Sequence, residues 1–328
     1  MTSFRAYMVD QVDGKFVAGV KEITMADLDE GNVLIRAHYS SVNFKDSLAA
    51  KEDGKIIRSY PMIPGIDVSG VVVESADPAF TSGDEILITG YDLGVQHTGG
   101  FSEYVRVKGD WLVRIPSGLS MKDVMKIGTA GFTAGCSIAA LEKHGFDPKK
   151  NPTVLVTGAT GGVGSIAIQI LHKIGCKVHA LSRKKEQESL QSLGADKVYT
   201  LDEITNHNTK PLAKQTYDYI IDTVGGEVVS SLIPFVRYGG AMTLCGNVAG
   251  VKLQTTVLPF ILRHIALLGI DSVQVPHKER EEMWKRFATE WNIAQDVHAQ
   301  EICLEQLDDI FSQLRAGTHI GRTIVKLY

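Results

Sequence analysis

Two short stretches of this 328-residue chain carry residue types arranged for chemistry on a phosphate. In the first, a β-branched run from Thr153 to Thr157 leads into Ala159-Thr160-Gly161-Gly162-Val163-Gly164. Val163, Ile166, Ala167, Ile170, Leu171 and Ile174 then recur at helical spacing, and Gly175 supplies a stop. A strand, a glycine turn and a helix start in that order make an anion site. Gly161 lets the backbone approach a pyrophosphate, and Gly164 lets the helix pack close to the strand. Unpaired N–H groups and the positive helix end then face the phosphates, with Thr160, Gly161, Gly162 and Val163 as the contacts. The first glycine of the dinucleotide pattern is here Ala159. No Lys-Ser or Lys-Thr follows the glycines, so this is not a Walker loop.

The second stretch selects the nucleotide. A strand KVHALS ends in Ser182-Arg183-Lys184-Lys185, where a protein selecting NAD carries an acid for the ribose 2′-hydroxyl. A carboxylate repels a 2′-phosphate, whereas a hydroxyl and cations receive one. Charge-assisted hydrogen bonds contribute about 1.5–3 kcal/mol each, so two give roughly two to four decades of preference. NADPH is therefore the expected cofactor, held by Ser182, Arg183 and Lys184.

The elements that must hold these stretches follow from periodicity. The first third, rich in Gly and Pro, carries short apolar runs (NVLIRAHYSSVN, DVSGVVVES, DEILITG) that imply a β-rich, barrel-like unit. From about Met125 helical patterns alternate with strands, through YDYIIDTVG and GAMTLCG to IALLGIDSV, read as a further buried strand. That alternation implies an α/β fold with a parallel sheet covered by helices. A charged helix over 278–291, a helix over 304–314 and a strand TIVKLY close the chain. With 44% hydrophobic and 22% charged residues the chain is an ordinary globular one, and a net charge of -4 gives no general attraction to nucleic acid or anionic lipid. No apolar run reaches membrane-spanning length and the N-terminus lacks a signal-peptide core, so a cytoplasmic protein is expected. Cys136, Cys176, Cys245 and Cys303 form no CxxC pair and are expected as buried free thiols.

Further landmarks carry a resemblance. Asn43-Phe44-Lys45-Asp46, Pro61-Met-Ile-Pro-Gly-Ile-Asp67, Gly99-Gly-Phe-Ser-Glu-Tyr104 and Gly128-Thr-Ala-Gly-Phe-Thr-Ala134 resemble the medium-chain dehydrogenase/reductase family, in its order. Gly54-Lys-Ile-Ile-Arg58, Pro259-Phe-Ile-Leu-Arg263, Gly269-Ile-Asp-Ser-Val273 and Gly321-Arg-Thr-Ile-Val-Lys326 are similar to the zinc-free quinone oxidoreductase group, YhdH/YhfP-type. The resemblance implies a GroES-like β-barrel catalytic domain over 1–123 and 275–328, and a Rossmann doubly wound parallel-sheet domain over 124–274. It implies a cleft that places the nicotinamide beside Asn43 and Asp46. Phe44, Thr133, Gly225, Leu244, Asn247 and Ser272 are then expected along the cofactor, with Arg322 among the cofactor-binding residues. Arg58, Arg263 and Arg322 are candidates for coenzyme A phosphates, with a surface ion pair as the equal competing reading for each. The implied activity is NADPH-dependent reduction of acrylyl-CoA; NADPH:quinone oxidoreductase and a non-catalytic NADPH-binding sensor are the competing readings. The small-molecule acceptor is thus an enoyl-CoA or a quinone, and IALLGIDSV is implied as the pairing edge of a homodimer.

Zinc-dependent relatives place a Cys near Val42 or Asn43 and a His-Glu pair after the Pro-Gly turn, where this chain reads Ile66-Asp67. Neither zinc ligand set is present in the sequence, so no metal is expected. Reduction of an activated C=C needs donors aimed at the carbonyl oxygen, for which a nicotinamide ribose hydroxyl, backbone N–H groups and Asn43 are the alternatives; Asn43 and Asp46 are the catalytic candidates, expected to act by positioning. For Asp46 a purely structural acceptor at a helix start is the competing role. Relatives often carry Tyr where this chain has Phe44, which keeps the ring but has no hydroxyl. His97, in a polar glycine-rich loop, is expected to be solvated.

Overall fold

The alternating and glycine-punctuated runs resolve, in a computed structural model describing residues 3–183 and 186–328, into two units. One comprises Met1–Phe132 with Val273–Tyr328, the other Thr133–Ser272. The first division falls inside the helical stretch over residues 121–143, later than the boundary between 123 and 124 expected from the sequence.

The first unit opens with a hairpin of β1 (Phe4–Val12) and β2 (Lys15–Ile23). Asp13 and Gly14 at its tip have φ of 51° and 74°, the left-handed pair that a two-residue hairpin loop requires. The sequence reading passed over this hairpin, although Asp-Gly between apolar runs signals it. There follow β3 (Val33–Ser41), the short helix α1 (Phe44–Ala49), β4 (Asp67–Ser75), β5 (Glu85–Thr89), β6 (Tyr104–Val107) and β7 (Val113–Arg114). Helix α2 (Met121–Lys143) breaks at Gly128, where φ is 53° and ψ is -163°. By length and composition α2 is long and apolar enough to cross a membrane, contrary to the sequence reading, yet most of it is buried inside the protein.

The second unit alternates as the periodicity implies: β8 (Thr153–Thr157), α3 (Gly162–Lys173), β9 (Lys177–Leu181), α4 (Gln187–Ser192), β10 (Lys197–Tyr199), α5 (Leu201–Thr205), β11 (Tyr217–Asp222), α6 (Gly226–Leu232), β12 (Val236–Leu244), α7 (Leu258–Arg263) and β13 (Ala266–Gly269). The strands are all parallel, in the order β10-β9-β8-β11-β12-β13. Numbered within the unit this is 3-2-1-4-5-6, the dinucleotide-binding order, and the chain reverses direction across the sheet between β8 and β11. Ligands bind outside the carboxyl ends of the strands at such a point. β13 is an edge strand and half-buried rather than buried, because β12 covers only one of its sides.

The chain returns to the first unit through α8 (His277–Ala288), β14 (Ala299–Ile302), α9 (Leu307–Ala316) and β15 (Arg322–Lys326). There the sheet order is β14-β15-β3-β4-β5-β7, with β6 also on β3. A core of Val33, Ile35, Ile63, Ile86, Phe101, Leu307 and Phe311 fills this barrel-like unit. Of the cysteines only Cys176 is fully buried; Cys136 and Cys245 are partly covered and Cys303 is exposed, in the turn just after the edge strand β14.

Candidate functional site

In the second unit the ends of β8, β11 and β12 are tied into one floor. Thr157 Oγ1 donates to Asp222 Oδ1 at 2.7 Å, and Asp222 Oδ2 accepts from the N–H of Gly225 at 2.7 Å and of Val224 at 3.2 Å. The Cys245 N–H donates to Asp222 O at 3.1 Å. Burial pushes the Asp222 carboxyl above the usual range, and these donors oppose that. The sequence reading did not single out Asp222; an acid ending a strand just before Thr-Val-Gly-Gly was the available signal.

The glycine loop rests on this floor. Gly158 has φ of 57°, and a Cβ there would stand 2.3 Å from Thr223 Oγ1. Ala159 is fully buried with its N–H on Leu181 O at 3.2 Å, so its methyl faces inward and the departure from the glycine pattern costs nothing on the ligand side. A Cβ on Gly164 would meet Gly158 O at 2.4 Å, so Gly164 brings α3 against the turn itself, more than against the strand. At Gly161 the same test finds only Gly158 O, at 3.3 Å, which leaves the loop open above. The first N–H groups of α3, from Gly162 and Val163, have no helical acceptor, as at any helix start. That combination fits a pyrophosphate.

The other expected contacts fall around the same strand ends. Thr133 Oγ1 donates to Ser272 Oγ at 2.8 Å, joining two residues far apart in sequence. Leu244 ends β12, half-buried, and Asn247 is exposed in the following loop. That loop presses on Gly225, where a Cβ would lie 2.6 Å from Gly246 O. Ser182 is buried at the end of β9 and Arg183 is exposed; Lys184 lies outside the described residues.

The first unit contains a second polar centre, buried where β3, β4, α2 and β15 meet. Asp67 receives hydrogen bonds from Ser41 Oγ, from Asn43 Nδ2 at 2.8 Å, from the Thr129 N–H at 2.9 Å and from Thr129 Oγ1 at 2.5 Å. Arg322 donates to Ser41 Oγ at 2.9 Å, Val42 O at 3.2 Å, Asn43 Oδ1 at 3.4 Å and Lys126 O at 3.0 Å. Gly128 makes this possible: a Cβ would stand 2.5 Å from both Arg322 Nη2 and Ser41 Oγ. Asp46 lies beside it, accepting from the N–H of Asn43 at 2.8 Å and of Ile66 at 3.1 Å. Its carboxyl is pushed up to about 7, first by burial and then by the charge of Asp67. The structure thus brings Asn43, Asp46 and Arg322 together and adds Asp67, which the sequence reading left as part of a landmark. Asp46 makes the structural acceptor contacts named as its competing role. Phe44, half-buried, is the first residue of α1.

Three expectations change. Arg322 is buried and holds the cluster, so its contacts are with this chain and not with a phosphate. Arg263 is likewise committed to carbonyls, of Pro234 and Ala213, both at 2.6 Å. His97 is buried, with its ring nitrogens 3.2 Å from Thr98 O and 3.0 Å from Glu30 O and its edge on Trp111, where the loop folds back on the barrel.

Among the described residues no group of three or more His, Cys, Asp or Glu is placed to hold a metal. Asp67, at the place of the His-Glu pair, is occupied by hydroxyl and amide donors, with the Arg322 cation beside it. Zinc does not fit there.

The chain matches the alcohol dehydrogenase GroES-like domain over residues 29–117 and the zinc-binding dehydrogenase family over residues 162–289. It is 38% identical to acrylyl-CoA reductase AcuI of Ruegeria pomeroyi, over 98% of each chain. Among solved structures it resembles YhdH of Escherichia coli K-12 with bound NADPH (43% identity, TM-score 0.93, 98% of this chain and all of that one). YhfP of Bacillus subtilis with NAD bound is similar at 42% identity and a TM-score of 0.95, with both chains fully covered. This chain therefore belongs to the medium-chain dehydrogenase/reductase superfamily, in the oxidoreductase branch of AcuI, YhdH and YhfP.

Proposed function

We propose that this protein is an NADPH-dependent reductase of an activated C=C bond, with a small 2-enoyl thioester such as acrylyl-CoA as its acceptor. The observation that carries the reading is the buried Asn43–Asp67–Arg322 cluster, whose acceptors are taken up by hydroxyl, amide and guanidinium donors of this chain. Oxidising an alcohol in this fold calls on a Lewis acid, which this donor set does not hold. Reducing an enoyl thioester calls instead on hydrogen-bond donors at the carbonyl oxygen, where negative charge collects. When bound, NADPH would supply the hydride for the β-carbon, and a proton from solvent water would complete the α-carbon. The kinship with AcuI, by name an acrylyl-CoA reductase, and with YhdH, solved with NADPH, supports both halves.

The chain's own residues then have these tasks. Gly161, Gly162 and Val163 give backbone N–H groups to the pyrophosphate, with Thr160 beside them. Ser182, Arg183 and Lys184 take the 2′-phosphate, and the Thr133–Ser272 pair, Leu244 and Asn247 line the nucleotide. Asp67 fixes one Asn43 Nδ2–H at 2.8 Å, while the nearest other acceptors, Ser41 O and Oγ, stand at 3.4 Å. The second Nδ2–H is therefore weakly held and is the donor offered to a substrate oxygen. Arg322 and Asp67 act through Asn43 as positioning residues.

The test follows NADPH absorbance with acrylyl-CoA, crotonyl-CoA and a quinone panel, with NADH in parallel. Turnover fastest with acrylyl-CoA and NADPH is expected. Turnover of quinones alone would replace the thioester reading, and tight NADPH binding with no turnover would mark a sensor. We also propose a homodimer formed along the β13 edge.

A further inference from the structure

The reading as a thioester reductase leaves open how a molecule as large and as anionic as an acyl-CoA is held. We infer that the cationic rim around α1, formed by Lys45, Lys55, Arg58 and Arg315, takes the phosphates of the coenzyme A tail; this rests on the thioester reading above. Asn43 immediately precedes α1, so the rim belongs to the chain segment that leaves the buried cluster. Lys45 lies in its first turn, half-exposed. Arg315, exposed at the end of α9, donates to Ser47 O at 2.8 Å and so is fixed against α1.

The segment after α1 holds the other two cations. Its Lys51 and Gly54 N–H groups bond Leu48 O at 3.2 Å and Lys51 O at 3.0 Å. A Cβ on Gly54 would stand 1.8 Å from Leu48 O, so the loop is pressed onto the helix. Ile57 is buried in the core and Ile56 packs against it. Lys55 and Arg58, both exposed, flank these two anchored isoleucines. Lys51 is paired with Asp53 at 2.8 Å, whereas no hydrogen bond or ion pair engages the side chains of Lys45, Lys55 or Arg58 among the described residues.

An ordinary solvated face interleaves its cations with carboxylates that answer them. Here Asp53 pairs with Lys51 at 2.8 Å and also acts through space on Lys55, so among the described residues Lys45 and Arg58 are the rim cations with no carboxylate in an ion pair, on a chain whose net charge is -4. The anchored backbone also means that little ordering entropy is lost when a phosphate is bound. Coenzyme A suits such a rim: its pyrophosphate and 3′-phosphate lie at the far end of a neutral pantetheine arm from the reacting thioester. The two other arginines considered for this task, Arg263 and Arg322, are committed to oxygens of this chain.

The experiment compares acrylyl-CoA with acryloyl-N-acetylcysteamine, which keeps the reacting thioester and has no phosphates, in the full-length enzyme. For each, kcat/KM is measured in the wild type, in Lys55→Glu/Arg58→Glu and in the milder Lys55→Ala/Arg58→Ala. The inference expects the preference for acrylyl-CoA to fall about tenfold or more in the charge-reversed protein, through KM, and less in the alanine protein. Added salt should also erode that preference in the wild type. If the wild type reduces both thioesters and the ratio is the same in all three proteins, the rim is not the phosphate site and the function stands. A wild type that reduces neither thioester would overturn the function, and the rim with it.

Discussion

In the proposed reduction Asn43 is the donor to the substrate oxygen, and its amide meets an anion on one side and a cation on the other. Asp67 takes its Nδ2–H at 2.8 Å and Arg322 approaches its Oδ1 at 3.4 Å, so the amide cannot flip without setting like groups against each other. Asn43→Ala should lower kcat about a hundredfold, the usual loss for an aimed donor, while the KM for NADPH changes less than about threefold. Equal losses in both, or no loss in kcat, would argue against a transition-state role. At this scale the glycine loop announces itself by local pattern, whereas Asn43 and Asp46 were singled out only through the family resemblance. Asp67 was not, since the partners that give it meaning, Thr129 and Arg322, lie far along the chain. Arg322 was legible as a cation but not as a buried one, because a charge on a β-strand reads as exposed until its oxygens are placed around it.

At the scale of elements, periodicity gave the second unit well, because each buried strand there is a continuous apolar run next to a helix. It failed where strands are short and polar, as in β14, or where a helix runs through a break, as at Gly128 in α2. Strand β9 hides a further feature. His179 is buried in it against Tyr199 and Tyr217, with no hydrogen-bond partner for either ring nitrogen among the described residues. Burial first, then Lys177 and Lys197, lowers its pKa from 6.5 to about 4. The unfolded chain therefore takes up a proton before the folded one does. The stability lent by a neutral His179 is complete above pH 6.5 and lost as pH falls toward about 4. His179→Phe, which does not titrate, should thus gain on the wild type across that window, by several degrees in Tm at its acid end. Thermal melts from pH 7 to 4 that run parallel for the two proteins would show that His179 titrates normally.

For the whole molecule, the exposed apolar surface is the feature left unexplained by the two units alone. Val251, Val257, Ile261 and Leu262 are all more than half exposed, and they cluster in the stretch of chain that leads into β13. β13 itself pairs only with β12 among the described residues, so its outer side offers unbonded N–H and C=O groups. An uncovered edge beside an apolar patch is a liability in a monomer, and a second copy related by a two-fold axis covers both at once. Main-chain bonds between the two β13 strands would satisfy the edge, and α7 would meet its counterpart or the facing loop. Sedimentation should therefore find dimers at micromolar concentration. Ile261→Lys/Leu262→Lys, at positions whose exposure leaves the fold of each unit intact, should shift the protein to monomers with unchanged circular dichroism. A wild type that sediments as a monomer would remove the proposed dimer and leave this patch needing another partner.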